Sequence, residues 1–403
     1  MIAYISPLVP KLTGIALYSH YLIQALQIAL AKSGDSLVVF DDDISETNAY
    51  QSEYKAREIL PLIFEKKKRE KYSQYIYHIG NNPLYHKLIL DLLQRQKGIV
   101  VLHDIVLYYL IADQGSGGVW RALTRQSPNF NNLNRVHNII DNSPQKDIRH
   151  YPSPSNYAFL EEVLFHATAI VVHSKMAEDY VVSTNFNGPI HQLPLIDYCQ
   201  SGTNSSSTIE NDLLLDLVKK KSDTDLFVIG LFGFAGATKR SHKIFQALSE
   251  LSVDTRSQLK LIIIGNNLYQ TEIDSMALSG VIINIGYVNE SDFNSSIAIC
   301  DLIINLRYPS MGETSAIQIQ AMSAEKATIV TDNGWFSELD DNSVHKITAS
   351  DQEIAELKQA IIKMMSDENY RATIAHKAKQ YVTKYHSPEK VSQQWLDLIQ
   401  KNY

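Results

Sequence analysis

Residues 305–322, NLRYPSMGETSAIQIQAM, carry an apolar strand into a Pro/Gly loop and from there into a helix. An apolar run of this kind, closed by turn residues and followed by a helical pattern, is one βα unit. Working outward, the same unit recurs on both sides. IAYISP, SLVVFD, YSQYIYHIG, GIVVLHD and AIVVHS form a first strand series. LFVIGLFG, LKLIIIGNN, VIINIGYV, CDLIINLR, ATIVTDNG and VHKITA form a second. Strands alternating with amphipathic stretches predict parallel sheets, and two such series predict two α/β halves.

The expected organisation is a domain over 1–198, a Ser/Thr/Asn-rich linker over 199–224, a second domain over 225–385 and a final helix over 386–403. Ser387 and Pro388 provide the N-cap and first position of that helix. A length of 403 residues suits two domains at roughly 100 to 200 residues each. Residues 114–155 read as a long loop or loosely helical insertion whose aromatics, Trp120 and Tyr151, either stack on a ligand's rings or equally anchor the segment to the body.

Composition narrows the function. Lys plus Arg number 37 against 44 Asp plus Glu, a net charge of -7, which leaves no basic footprint for nucleic acid. Two cysteines, Cys199 and Cys300, are too few for a disulfide scaffold and read as buried thiols or as one disulfide between them. The N-terminus lacks a basic region ahead of its apolar residues, and the longest apolar run, IVVLHDIVLYYLIA, has 14 residues, so a cytoplasmic chain is expected.

Ligands of doubly wound sheets bind at the carboxyl ends of strands. One such end, LFGFAGATKR, sets Gly233 ahead of Lys239 and Arg240, a cradle in which backbone amides and two cations would meet phosphate. It ends in neither the Walker nor the Rossmann spacing. In the stretch quoted first, Gly312, Glu313, Thr314 and Ser315 gather at a helix start, where free amides suit a diphosphate and Glu313 would accept sugar hydroxyls. A carboxylate there also reads as an ordinary partner of the helix dipole. His103 and Asp104 end another strand, and Gly14 offers a backbone contact from the first loop. Asp41, Asp42 and Asp43 are read as a solvated loop, and no metal is expected. The run Lys66, Lys67, Lys68, Arg69 and Lys71 reads as a solvated helix face, or else as a contact with anionic lipid.

Together, PLVPKLTGIALYSHYL, YHIGNNPLYH, VVLHDIVL, IVVHSKMAEDYV, FGFAGATKR, INLRYPSMGETSAIQIQAM and VTDNGWFSEL resemble bacterial nucleotide-sugar glycosyltransferases of family 4. The resemblance implies a GT-B fold, two Rossmann-like doubly wound domains facing across a cleft, and retaining transfer from a nucleotide diphosphate sugar to a glycan or lipid-linked acceptor, with neither metal nor cofactor. It further implies cell-surface polysaccharide or glycoconjugate synthesis at the inner face of the membrane, and a last helix that returns to the N-terminal domain. By the same resemblance His103, Glu313 and Lys239 are catalytic. Gly14, Gly233, Arg240, Gly312, Thr314, Ser315 and Gln320 join Glu313 and Lys239 in binding donor. Asn81, Asp104, Arg307, Asn333 and Trp335 border the cleft. Two departures stand out: Phe234 lies where the family keeps an arginine, and Gln320 where it keeps its second glutamate. They leave open a degenerate subunit partnering an active transferase; separately, because fold alone does not fix chemistry, a sugar-nucleotide epimerase is the rival enzyme.

Overall fold

The computed structural model describes residues 1–31, 34–50, 53–127, 131–197 and 209–401. The chain divides into two units. The first comprises Met1–Ile196, Met311–Thr314 and Pro388–Tyr403; the second comprises Asp197–Ser310 and Ser315–Ser387.

The first unit is built on a seven-stranded sheet: β1 (Ile2–Ile5), β2 (Leu37–Asp41), β3 (Ala56–Glu58), β4 (Gln74–Ile79), β5 (Gly98–Leu102), β6 (Ala167–Val172) and β7 (Ile190–Gln192). Their order is β3-β2-β1-β4-β5-β6-β7, every pairing parallel. The second unit holds β8 (Phe227–Phe232), β9 (Leu259–Ile264), β10 (Ile282–Gly286), β11 (Leu302–Asn305), β12 (Ala327–Thr331) and β13 (His345–Ile347), in the order β10-β9-β8-β11-β12-β13, again all parallel. Each order reverses beside its first strand, β1 or β8, the switch point at which doubly wound sheets bind ligands.

Parallel sheets are covered on both faces, so their central strands are buried along their whole length rather than on alternate residues. Thus QYIYHI of β4, GIVVL of β5, FVIGLF of β8 and ATIVT of β12 are buried at every position. Ile5, Tyr77, Val100 and Ile170 anchor the first core; Ile229, Phe245, Leu261 and Ile329 anchor the second.

Several expectations are revised. Of the linker, residues 199–208 lie outside the described residues, and Asp212–Asp223 is a helix of the second unit, capped by Asn211 and burying Leu214 and Leu217. Of the two readings of 114–155, loop or helical insertion, the described residues follow the helical one: Gly115–Gln126 and Asn132–Asp141 are helices, followed by single turns. Tyr151 is buried there between Tyr108 and Tyr157, so it anchors the segment, while Trp120 is exposed. Cys300 is a buried free thiol, and Cys199 lies outside the described residues.

The last helix, Pro388–Ile399, packs in the first unit against the helix Gly14–Leu30, and Gln74 Nε2 donates to Ile399 O at 2.9 Å. Its Trp395 is fully buried, stacked on His78 of β4.

Candidate functional site

In the first unit the functional side chains sit where β4, β5 and β6 end. His103 follows β5, and its Nε2 lies 3.0 Å from Nδ1 of His78 in β4. His173, just after β6, stands beside it with ring centroids 5.1 Å apart, and Tyr18 packs edge-on to both His103 and His173. Nδ1 of His86 donates to the His78 carbonyl at 3.1 Å. Burial, then the neighbouring His173, holds the His78 and His103 imidazoles well below the usual histidine range. Burial likewise lowers His86, to about 4. At neutral pH His103 is therefore a neutral imidazole that can donate or accept a hydrogen bond without carrying charge.

Asp104 and Asn81 brace the same strand ends. Asp104 Oδ2 accepts from Asn81 N at 2.8 Å, and Asn81 Oδ1 accepts from the amides of Tyr109 and Leu110 at 2.8 and 3.3 Å, which caps the helix Tyr108–Ala112. Beside them opens a cavity of about 710 Å³ lined by Asn81, Asn82, Asp104, Tyr109, Asp113 and Arg149 among others. Its charged groups are largely compensated: Asp113 meets Lys87, and Arg149 meets Asp147.

Gly14 opens the helix Gly14–Leu30, capped by Thr13. A Cβ added at Gly14 would meet nothing within 4 Å. Gly312 is the opposite case: its φ is +85°, and a Cβ there would run into Ile105 at 2.3 Å. Met311 O accepts from the amides of Ile105 and Val106, and Glu313 Oε2 turns back to accept from Met311 N at 2.6 Å. Within the first unit, therefore, Gly312 and Glu313 shape a tight loop of their own, of which Thr314 is the last residue.

In the second unit Ser315 caps the helix Ala316–Ser323, and Asn305 at the end of β11 donates to both Ser315 Oγ and Gln318 Oε1. Gln318 in turn donates to Thr328 at 2.7 Å. Gln320, 6% exposed, takes no side-chain hydrogen bond from the described residues, so its amide is available to a ligand. Lys239 is 8% exposed and donates from Nζ to Phe232 O at the end of β8. Gly233, at φ +85°, leaves the space that the ammonium occupies.

Arg240 does not stand beside Lys239 as a second open cation. Its guanidinium is forked onto the buried carboxylate of Glu353 and lies 5.6 Å from the Tyr308 ring centroid. Arg307 ties loops together: its amide donates to Thr331 Oγ1 at 3.0 Å, and its carbonyl accepts from Asn333 Nδ2 at 3.4 Å. Trp335 is 5% exposed and packs on Phe336. Phe234, in the arginine's expected place, is half exposed.

Elsewhere, Asp41 is the buried last residue of β2 rather than part of a solvated loop, and Lys11 pairs with it and with Asp42. Of the basic run, Arg69 donates to the carbonyls of Leu62 and Ile63, which ends the helix Leu60–Phe64, whereas Lys67 is exposed, as is Phe64. No described helix is long and apolar enough to cross a membrane.

The sequence reading singled out His103 and passed over His78 and His173. The signal was present: YIYHIG, VVLHD and IVVHS each place a histidine at the end of a strand, and the three strands are neighbours in the sheet.

The two Rossmann-like sheets define a GT-B fold. Residues 216–381 match the family model described as Glycosyl transferases group 1. An uncharacterized glycosyltransferase, MJ1069 of Methanocaldococcus jannaschii, is 27% identical over 150 residues, which are 36% of this chain and 37% of that protein. The matched stretch thus spans little more than a third of that relative. Among solved structures, Anabaena Alr3699/HepE in complex with UDP and glucose superposes with a TM-score of 0.66 at 15% identity, covering 99% of each chain. A putative UDP-N-acetylglucosamine 2-epimerase from Listeria monocytogenes superposes with a TM-score of 0.57 at 12% identity, covering 98% of this chain and 94% of that one. At such identities the likeness is one of fold, and the same fold serves more than one chemistry.

Proposed function

We propose that the chain is a retaining glycosyltransferase that moves a sugar from a nucleotide diphosphate sugar to a glycan or lipid-linked acceptor. The observation that carries this reading is the second unit's cradle: a buried Lys239 over Gly233 and an unpartnered Gln320 amide, within the segment matched by the Glycosyl transferases group 1 model.

In this mechanism the bond between the anomeric carbon and the diphosphate oxygen breaks as charge develops on the leaving group. Lys239 and the amides at the start of the helix Ala316–Ser323 stabilise that charge. Gln320 hydrogen-bonds the ribose, and Glu313 faces the sugar. The acceptor hydroxyl attacks the oxocarbenium-like carbon and passes its proton to the departing phosphate oxygen on the same face. No protein nucleophile, metal or cofactor is used. The polar, charge-compensated cavity beside Asn81, Asp104 and Tyr109 suits a hydroxyl-rich acceptor. Synthesis of a cell-surface glycan at the inner face of the membrane fits this chemistry, with exposed Phe64 and Lys67 as the membrane contact.

Thermal shift against UDP, GDP, ADP, CMP and their sugar conjugates tests the reading, since a ligand that binds the native state raises Tm. A selective shift with one diphosphate, followed by sugar transfer from its conjugate, supports it; no shift from well-folded protein refutes it. A second reading, a degenerate subunit, is favoured by the exposed Phe234 and by the engagement of Arg240 with Glu353. Donor binding without turnover in any acceptor screen would select it.

A further inference from the structure

The histidine pair at the ends of β4 and β5 raises a question of direction. His78 Nδ1 and His103 Nε2 lie 3.0 Å apart, so one must donate and the other accept. If His103 donates from Nε2, the proton of His78 moves to its Nε2. That atom is buried with no hydrogen-bond partner, in a ring packed against Tyr4 and Trp395. A buried N–H without an acceptor is the more costly arrangement; a buried lone pair is better tolerated. If His78 donates from Nδ1, only a lone pair is left at its Nε2.

The neighbours follow the same polarity. Nδ1 of His173 faces Leu193 O at 2.8 Å and Nδ1 of His86 faces His78 O, and a carbonyl can only accept, so both carry their proton at Nδ1. His103 Nδ1 has no partner among the described residues, and its ring is part exposed, which leaves that nitrogen as its open edge.

We infer that His78 is a positioning residue: it donates Nδ1–H to His103 Nε2, fixes His103 as the Nδ1–H tautomer, and so presents His103 to a ligand as a neutral hydrogen-bond donor. The sugar oxygen it would meet rests on the glycosyltransferase reading; the tautomer does not. Trp395 of the last helix, stacked on His78 with centroids 6.4 Å apart, holds the His78 ring in place.

The test is long-range ¹⁵N–¹H correlation of ¹⁵N-histidine-labelled full-length protein at pH 7.5, with His103 and His78 assigned by substitution. The expected spectrum shows His103 with a protonated Nδ1 and a pyridine-like Nε2. His78→Phe, which keeps a ring but cannot donate, mixes the two His103 tautomers. His78→Asn, whose amide can occupy the Nδ1 position, restores the single form. In turnover, His78→Phe lowers kcat about tenfold, the loss expected for one misdirected neutral hydrogen bond, and His78→Asn recovers most of it. A wild-type His103 protonated at Nε2, or a His103 tautomer unchanged in His78→Phe, overturns the inference. Should His78→Phe fail to fold, the wild-type spectrum decides alone. Should no donor be turned over, the transferase reading fails while the tautomer result stands.

Discussion

Arg240 and Glu353 are 113 residues apart in sequence, yet their side chains form a forked ion pair whose carboxylate is almost wholly buried. Arg240 itself sits in the left-handed region at φ 56° ahead of the helix Ser241–Ser249, a conformation that the pair helps to hold. Glu353→Gln would leave a partly buried guanidinium uncompensated. The expected cost is about 3 kcal/mol of unfolding free energy, read by urea denaturation. A change below 0.5 kcal/mol, the scatter of an ordinary surface substitution, would mean that the pair is not formed in solution.

Lys239 should behave differently. Lys239→Met keeps the aliphatic stem but removes the ammonium from the end of β8. On the proposed mechanism kcat/KM falls about 100-fold or more, as when one preorganised donor to a developing oxyanion is lost. The diphosphate-induced rise in Tm should shrink with it. Full turnover in this variant would remove Lys239 from the donor site.

Gly14 and Gly312 separate binding from folding. Gly14→Ala meets nothing in the protein and adds a better helix former to the first turn, so Tm should hold or rise slightly while donor affinity drops. Gly312→Ala must enter the left-handed region against Ile105 and should lower stability by about 1–3 kcal/mol. If Gly14→Ala binds donor as the wild type does, the first loop does not approach the ligand.

Acid should loosen the first unit. His78, His86 and His103 have folded-state pKa values below that of a free histidine, so below about pH 6.5 the unfolded chain binds protons that the folded chain refuses. The stability they contribute is complete above that pH and is lost progressively as pH falls; for His86 the loss runs down to about 4. For His86, held at about 4 by burial, the contribution is about 3 kcal/mol. Urea unfolding midpoints between pH 7.5 and 4.5 should decline, and His86→Gln should flatten the slope. A flat wild-type profile would show that the cluster is hydrated.

The exposed Phe64 and Lys67, with Lys66 and Lys68 paired to Glu70 and Glu65, should bind anionic vesicles. Each cation near such a membrane contributes about 1 kcal/mol, so Lys66→Glu with Lys67→Glu should cut co-sedimentation with phosphatidylglycerol vesicles sharply, and salt should do the same. Equal binding to neutral phosphatidylcholine would rule out this electrostatic contact.

The central strands were legible in the sequence because burial on both faces makes them unbroken apolar runs; β8, FVIGLF, and β12, ATIVT, need no other signal. β3 and β7 were not, since Ala-Arg-Glu and Ile-His-Gln are three-residue edge strands with neither periodicity nor full burial. The loops at Lys239 and Glu313 could be placed at strand ends from Gly and Pro punctuation alone. What their side chains touch could not, because Glu353 reaches Arg240 from another helix, and Trp335 is drawn inward by packing that no local pattern announces. The histidine cluster lay between these cases, visible only to a reader who already knew that β4, β5 and β6 are neighbours.

The placement of the helix Pro388–Ile399 in the first unit has a consequence for biosynthesis. Chains fold as they emerge, N-terminal segments first. Here the wall that seals His78 is translated only after the whole of the second unit: Trp395 and the carbonyl of Ile399 come more than three hundred residues after the strand they cover. On the ribosome the first sheet must wait, with an apolar flank bare, through the whole of the second unit's synthesis, and a chain that terminates early leaves that flank open for good.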